Sequence, residues 1–463
     1  MSSSPRRVHL AAHFPGVNNT TIWSDPRSES HIAVDSFIHM AQTAERGLMD
    51  FLFLAEVLRL REMNGKIYDL DVMGRPDTLT VLSAVAAATE RIGLAGTLTA
   101  TFHEPYELAR QFATLDHLSG GRAAWNVVTS PDAFTGENFR RGGYLPYPRR
   151  YQRAEDFIDA ARQLWESWPA SAQDADETAG AYEHHSEFFD ISGRFDVPRS
   201  PQVHPVIFQA GDSDSGREFA AGSADVIFTR HSELEDGKAF YKDTKGRLAK
   251  YGRAEDDLRI YPGVSYVLGD TDADAAERAR EQAYAQHSGA TAIATLERVW
   301  NTDLSSFDPD GPLPDFDPVL DGPEVSQGRV KHVKDPVATA QRWREIAQAE
   351  NLSIPDLVVR DAPGVAFVGS ADTVARQMNQ YIQERAADGF ILIPTVVPGG
   401  LDEFVDSVVP RLQEMGVYPD SYAEEDPTLR TTMELGGYRP ATEWSRARSN
   451  RPRRSYQWSG GLI

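Results

Sequence analysis

The chain has 463 residues, with 47 basic and 69 acidic side chains for a formal charge of −22, and it contains no cysteine. Disulfide scaffolds, zinc ribbons, iron–sulfur clusters and thiol nucleophiles are therefore excluded. The acidity argues against a nucleic-acid partner, because neutralising phosphates needs a basic face. No apolar stretch long enough for a signal peptide follows Arg6 and Arg7, and the most apolar run, residues 79–88, is too short to span a bilayer. A cytoplasmic protein without a membrane partner is expected.

In chain order, residues 8–14 (VHLAAHF) are an extended run, and residues 33–46 show the helical spacing of Val34, Phe37, Ile38 and Ala41 before Gly47. Residues 50–56 (DFLFLAE) are nearly all apolar, as in a strand covered on both faces. Residues 76–90 open with proline and an acid, a helix start. A strand (91–99), a helix (105–117), a strand (122–129) and a helix (151–168) follow. The pattern resumes with strands at 204–211 and 224–229, each leading into a helix, over 216–222 and 236–251. A strand (258–267), helices at 272–287 and 372–386, a strand (389–395) and a helix (401–415) complete it. Eight strands alternating with helices predict an α/β fold, a (β/α)8 TIM barrel, and no GxGxxG follows the first strand to suggest a dinucleotide fold.

One barrel domain over 1–419 is expected, with insertions at about 168–203 and 288–364 and a C-terminal arm over 420–463. The first insertion contains EFFDISGRFDV, a predicted extended pair. The second carries residues 302–323, with six aspartates, five prolines and no basic residue, the composition of a loop over the barrel or of local disorder. The last 21 residues hold Arg446, Arg448, Arg451, Arg453 and Arg454 against Glu443. They are either a solvated tail or an arm that clasps an acidic neighbouring subunit.

A barrel keeps its active site at the carboxyl ends of its strands. Those ends supply His13, Glu56, Thr97, Thr99, Asn126, Thr129, Gln209, Ser213, Thr229, Arg230 and Tyr266. Hydroxyls and amides dominate, so paired-carboxylate hydrolysis is not indicated. No metal site is expected: HExxH is absent, and His184 and His185 lie in the first insertion, where a structural or exposed role is expected. The turn Gly211-x-Ser213-x-Ser215-Gly216 misses the GxSxG spacing by one residue. It is either an anion site at a helix N-terminus or a plain capping turn with Ser213 or Asp214 as N-cap.

Residues 104–130 (EPYELARQFATLDHLSGGRAAWNVVTS), 149–157 (RRYQRAEDF) and 208–221 (FQAGDSDSGREFAA) resemble, in this order, the bacterial luciferase-like FMN-dependent monooxygenases. The nitrilotriacetate, EDTA and dibenzothiophene-sulfone monooxygenase branch is the most similar, over roughly residues 8 to 415. The resemblance implies a two-component enzyme that receives FMNH2 from an NAD(P)H:FMN reductase. With O2, a flavin C4a-peroxide would oxygenate a small organic substrate, with C–N or C–S cleavage in some members. It also implies a homodimer or homotetramer.

Carried over residue by residue, the resemblance puts Glu56, Thr97, Thr99, Asn126, Tyr147, Tyr151, Gly211, Asp212 and Ser213 around the FMN. Asn126 would lie near the pyrimidine edge, and Ser213 with backbone N–H groups on the phosphate. Three positions depart from the family pattern: Glu56 replaces aspartate, Tyr147 replaces histidine, and Asp212 replaces the first of two serines. The expectation for Asp212 is that it points away from the phosphate or caps the helix. His13 is the candidate catalytic residue, on a first loop that also carries Asn18, Asn19 and Trp23, the last expected to pack over the cofactor. Arg230 and His231 are candidates for meeting a polar substrate. A deazaflavin-dependent oxidoreductase of the same barrel class and a non-catalytic flavin-binding protein are the alternatives. The long insertions and GGRAAWNVVTS favour the monooxygenase.

Overall fold

The computed structural model describes residues 5–15, 20–56, 58–67, 76–130, 133–139, 146–231, 233–287, 289–322, 324–327, 333, 335–362 and 364–444. Eight parallel strands close into a barrel: β1 (His9–Phe14), β2 (Phe51–Leu54), β3 (Gly93–Thr99), β4 (Ala123–Val128), β5 (Val206–Gln209), β6 (Val226–Thr229), β7 (Arg259–Val264) and β8 (Gly389–Leu392). Each pairs with its sequence neighbours, and β1 joins β8 with His9 opposite Gly389. A Cβ on Gly389 would lie 2.6 Å from the Cβ of His9, so only glycine permits that close approach.

The nearly continuous apolar runs arise because each strand is buried on both faces. Inward, Ala11, Phe51, Ala95, Ala124, Phe208, Tyr261 and Ile391 fill the barrel, with Phe51 edge-on to Phe208 at 4.8 Å. Outward, a larger core packs against α1 (Val34–Arg46), α2 (Thr78–Ala88), α3 (Pro105–Leu118), α4 (Tyr147–Glu166), α5 (Asp214–Ser223), α6 (Leu234–Leu248), α7 (Ala371–Gln383) and α8 (Gly400–Glu414). Burying each large side chain contributes roughly 1.5–3 kcal/mol.

Several expectations are corrected. The predicted strand over 258–267 divides, because after Val264 the chain leaves the barrel and Tyr266–Leu268 pairs instead with Phe367–Gly369. Tyr266 is therefore not at the mouth: its hydroxyl donates to the Gly400 carbonyl (2.9 Å) and its ring packs on Phe404. Helix α4 begins four residues earlier than predicted, so Tyr147 and Tyr151 both lie within it rather than ahead of it.

The first insertion does form an antiparallel pair, Ala181–His185 with Asp190–Arg194. There His184 Nε2 meets Asp156 Oδ1 at 2.9 Å, and His185 is exposed between Glu183 and Asp190. The second insertion builds helices at Gly289–Trp300, Pro336–Glu350 and Ile354–Asp361 around Leu296, Trp300, Trp343 and Leu357. Its acidic proline segment has no helix or strand of its own over residues 301–322. Side chains fasten it instead: Trp300 Nε1 donates to the Phe316 carbonyl (2.8 Å) and Asn301 Nδ2 to that of Val319 (3.2 Å). Beyond it, Ser326–Gln327 pairs with Glu62–Met63 in the loop after β2, so this insertion lies over the carboxyl-end face of the barrel.

At the opposite end, a short helix, Leu429–Thr432, closes the barrel floor. Leu429, Met433 and Leu435 join the interior core, and Trp444 packs beneath the Arg162 guanidinium, 4.0 Å from the ring centroid. Residues 429–444 thus belong to the floor rather than to an arm; the five tail arginines lie outside the described residues. No helix among the described residues is long and apolar enough to cross a membrane.

Candidate active site

At the carboxyl end of the barrel, Thr97 on β3 stands opposite Asn126 on β4, both facing inward and buried. Asn126 Nδ2 donates to Thr97 Oγ1 (2.9 Å), which fixes the amide orientation and leaves Asn126 Oδ1 buried with no partner among the described residues. On the next strand Gln209 is also buried with Oε1 unpartnered in the same sense, but it alternates with inward Phe208 and shares the outer face with its register partner Val127, against the Gly211 turn. Inside the barrel mouth the Asn126 carbonyl thus lacks a donor where burial makes an unmet hydrogen bond costly, roughly 1–3 kcal/mol. Thr99 does a different job. Its hydroxyl donates to the Val128 carbonyl (3.2 Å) and accepts from Ser130 Oγ (2.8 Å), tying β3 to β4.

His13, at the end of β1, donates from Nδ1 to the Phe53 carbonyl (3.0 Å). A carbonyl can only accept, so Nδ1 carries a proton there. Beside it, on the first loop, Trp23 packs on His31 with ring centroids 4.2 Å apart. Asn18 and Asn19 lie outside the described residues.

Glu56 follows β2, and its carboxyl is pushed up to about 7 by burial and by the nearby Asp77, against the backbone N–H of Thr78. Asp77 itself caps α2, accepting from the Thr80 N–H (2.8 Å). The sequence reading missed His103, just past β3. Its Nδ1 donates to the Thr99 carbonyl (2.9 Å), and burial holds the imidazole below its ordinary range. The available signal was its position in TFHEP, between a strand end and a proline-opened helix.

The turn after β5 settles into α5. Ser213 is the N-cap, its hydroxyl accepting from the Gly216 N–H (3.1 Å). A Cβ on Gly211 would stand 2.9 Å from Gly216 Cα, so both glycines are needed for the turn to lie on the first helical turn. Asp212 does not cap the helix but meets His231 Nε2 at 3.0 Å. Arg230 is exposed. Tyr151 packs on Phe219 of α5, whereas the side chain of Tyr147 lies outside the described residues.

A barrel mouth of amides, hydroxyls and two oriented imidazoles suits a polar planar ligand. Residues 16–389 match the family model described as luciferase-like monooxygenase. The chain belongs to the luciferase-like monooxygenase family. Relatives in it include nitrilotriacetate monooxygenase component A of Aminobacter aminovorans, 38% identical over 435 residues, covering 89% of this chain and 93% of that one. The N-acetyl-S-(2-succino)cysteine monooxygenase of Bacillus subtilis (strain 168) is 35% identical, covering 94% and 98%. Among solved structures, a riboflavin lyase with modified FMN and its substrate riboflavin superposes with a TM-score of 0.75 at 26% identity, covering 95% and 99%. Across this luciferase-like monooxygenase, the family match thus runs from the first loop to β8 and includes every mouth residue described above except His13.

Proposed function

We propose that this luciferase-like monooxygenase is the oxygenase component of a two-component system, taking reduced FMN from an NAD(P)H:FMN reductase and using dioxygen to oxygenate a small organic substrate. The carrying observation is the carbonyl of Asn126, buried in a polar barrel mouth without a partner among the described residues. The donor set fits the flavin. Asn126 Oδ1 would accept from a ring N–H group, Thr97 holds Asn126 in orientation, and the Gly211–Gly216 turn would offer backbone N–H groups to the phosphate. When bound, reduced FMN supplies the electrons that activate dioxygen.

The protein's part is to orient and to exclude water. Phe53 and Phe228, stacked at 6.0 Å, floor the site, and the second insertion lies over its rim. His13, anchored through Nδ1 on the Phe53 carbonyl at the end of β1, is the residue read to accept or position a proton.

Purified protein is mixed with FMN, NADH and a generic flavin reductase and screened over sulfones, sulfides, aminopolycarboxylates and amines. Oxygen-dependent product formation is expected. Anaerobic turnover with a reduced deazaflavin would instead establish hydride transfer, and tight flavin binding with no turnover would mark a carrier. His13→Ala is expected to remove most product formation while FMN binding survives; unchanged turnover takes His13 out of the mechanism.

A further inference from the structure

One feature of the turn after β5 is at odds with a phosphate seat. Asp212 places a carboxylate beside Ser213, at the N-terminus of α5 where the phosphate is read to sit. Like charges so close oppose each other. Several nearby cations are already committed: Arg217 to Asp243 (2.7 Å), Arg247 to Asp214 (2.8 Å) and to Asp243 (3.0 Å), and Lys250 to Glu218 (2.6 Å). On α6 the neighbouring groups are acidic, Glu233, Glu235 and Asp236, with Glu235 held by Lys238 (2.9 Å). Arg230 is exposed at the end of β6.

His231 is built into this turn. Its backbone N–H donates to Thr229 Oγ1 (3.3 Å), its ring lies against Phe240 of α6 (4.9 Å), and its Nε2 faces Asp212 Oδ1 at 3.0 Å. Imidazole is the side chain whose charge changes near neutrality. A carboxylate already hydrogen-bonded to one ring nitrogen stabilises the imidazolium formed by protonating the other.

We propose that His231 is the proton-linked counter-charge of the flavin phosphate: seating the dianion beside Asp212 draws a proton from solvent onto His231, so FMN capture weakens as pH rises. The proton taken up balances one of the charges brought by the phosphate, and no bond other than N–H forms. Selectivity for FMN over riboflavin therefore falls with pH as well. The inference rests on the reading of the 211–216 turn as the phosphate seat.

The test titrates the full-length protein with oxidised FMN and, separately, with riboflavin, from pH 7 to pH 9, above the second ionisation of the phosphate at about 6. For one linked proton the FMN dissociation constant changes by at most a factor of about ten per pH unit. A rise of about tenfold over the range is expected for FMN, with a flat line for riboflavin. His231→Gln is expected to bind FMN at pH 7 as weakly as the unaltered protein does at pH 9, without slope. Asp212→Ser is expected to tighten FMN at pH 9. If FMN and riboflavin bind equally at every pH, the phosphate seat itself is misplaced. If FMN binds more tightly but H231Q keeps the original slope, the seat stands and the role of His231 is overturned.

Discussion

The two ends of the barrel treat buried polar groups in opposite ways. At the floor, Asp50 accepts from the Tyr261 hydroxyl (2.7 Å) and contacts His9, and Asp225 contacts Arg430 (3.0 Å) and the Ile207 N–H (2.9 Å). Asp388 meets Lys245 (2.9 Å), Arg6 (2.6 Å) and the Ile260 N–H (2.8 Å). At the mouth, Asn126 Oδ1, Gln209 Oε1, Thr21 Oγ1 and Trp23 Nε1 are buried without partners among the described residues. Two glutamates make the same contrast. Burial and Asp77 push Glu56 up to about 7, whereas Glu434 at the floor is brought down to about 2 by His9, 3.7 Å away, and by Arg7 against the effect of burial. The inward carboxylates of the floor are paired by the fold, whereas the Asn126 carbonyl at the mouth is left for a ligand to complete.

The largest expected effect tests the floor. Leu429 is fully buried in the barrel interior, and Leu429→Ala should cost about 2–5 kcal/mol of stability, read as a lowered urea midpoint. Activity per folded molecule should be unchanged; a loss of activity at full stability would erase the distinction between the two ends.

Next comes the mouth. Asn126→Ala removes the unused acceptor together with the hydrogen bond to Thr97, so stability should fall by only about 1 kcal/mol. Catalytic efficiency should fall by about 1–3 kcal/mol of interaction, roughly five- to 150-fold. Equal losses of stability and activity would place Asn126 in the framework instead.

The smallest effects are in pH dependence. The folded-state value of Glu56 lies above its ordinary 4.5, so the folded protein holds the extra proton between about 4.5 and 7 and loses stability as pH rises through that window. Glu56→Gln should match the unaltered protein at pH 4 and exceed it in thermal midpoint at pH 8. Glu434 has the opposite sign: its contribution is present above 4.5 and fades as pH falls towards about 2. Glu434→Gln should therefore lower the midpoint at pH 8, with the difference closing on acidification. A shift of the same sign in both variants would break the contrast.

Much of the barrel was legible because a strand buried on both faces must be apolar throughout, and eight such runs between amphipathic helices leave few other architectures. Thr97, Asn126 and His13 were legible as strand ends for the same reason. The floor was not. Leu429, Met433 and Leu435 are too few for a helical or strand period, and their apolar partners lie on strands hundreds of residues earlier. Nor was the helical core of the second insertion apparent behind its acidic proline segment, since Trp300 and Trp343 meet only once the loop between them is folded back.

By itself, then, the sequence determined the repeating strand–helix order, the polar character of the strand ends and the family. Tertiary structure alone decided which of those polar groups remain unsatisfied. Thr99 and Asn126 look alike as mouth residues in the chain, yet Thr99 is consumed in joining two strands while Asn126 keeps a carbonyl unmet. Asp212 and His231, 19 residues apart, become a pair only because β5 and β6 are neighbours in the barrel. Local periodicity encodes which face of an element is buried; whether a buried polar atom has a partner depends on residues that closure of the barrel brings within hydrogen-bonding distance.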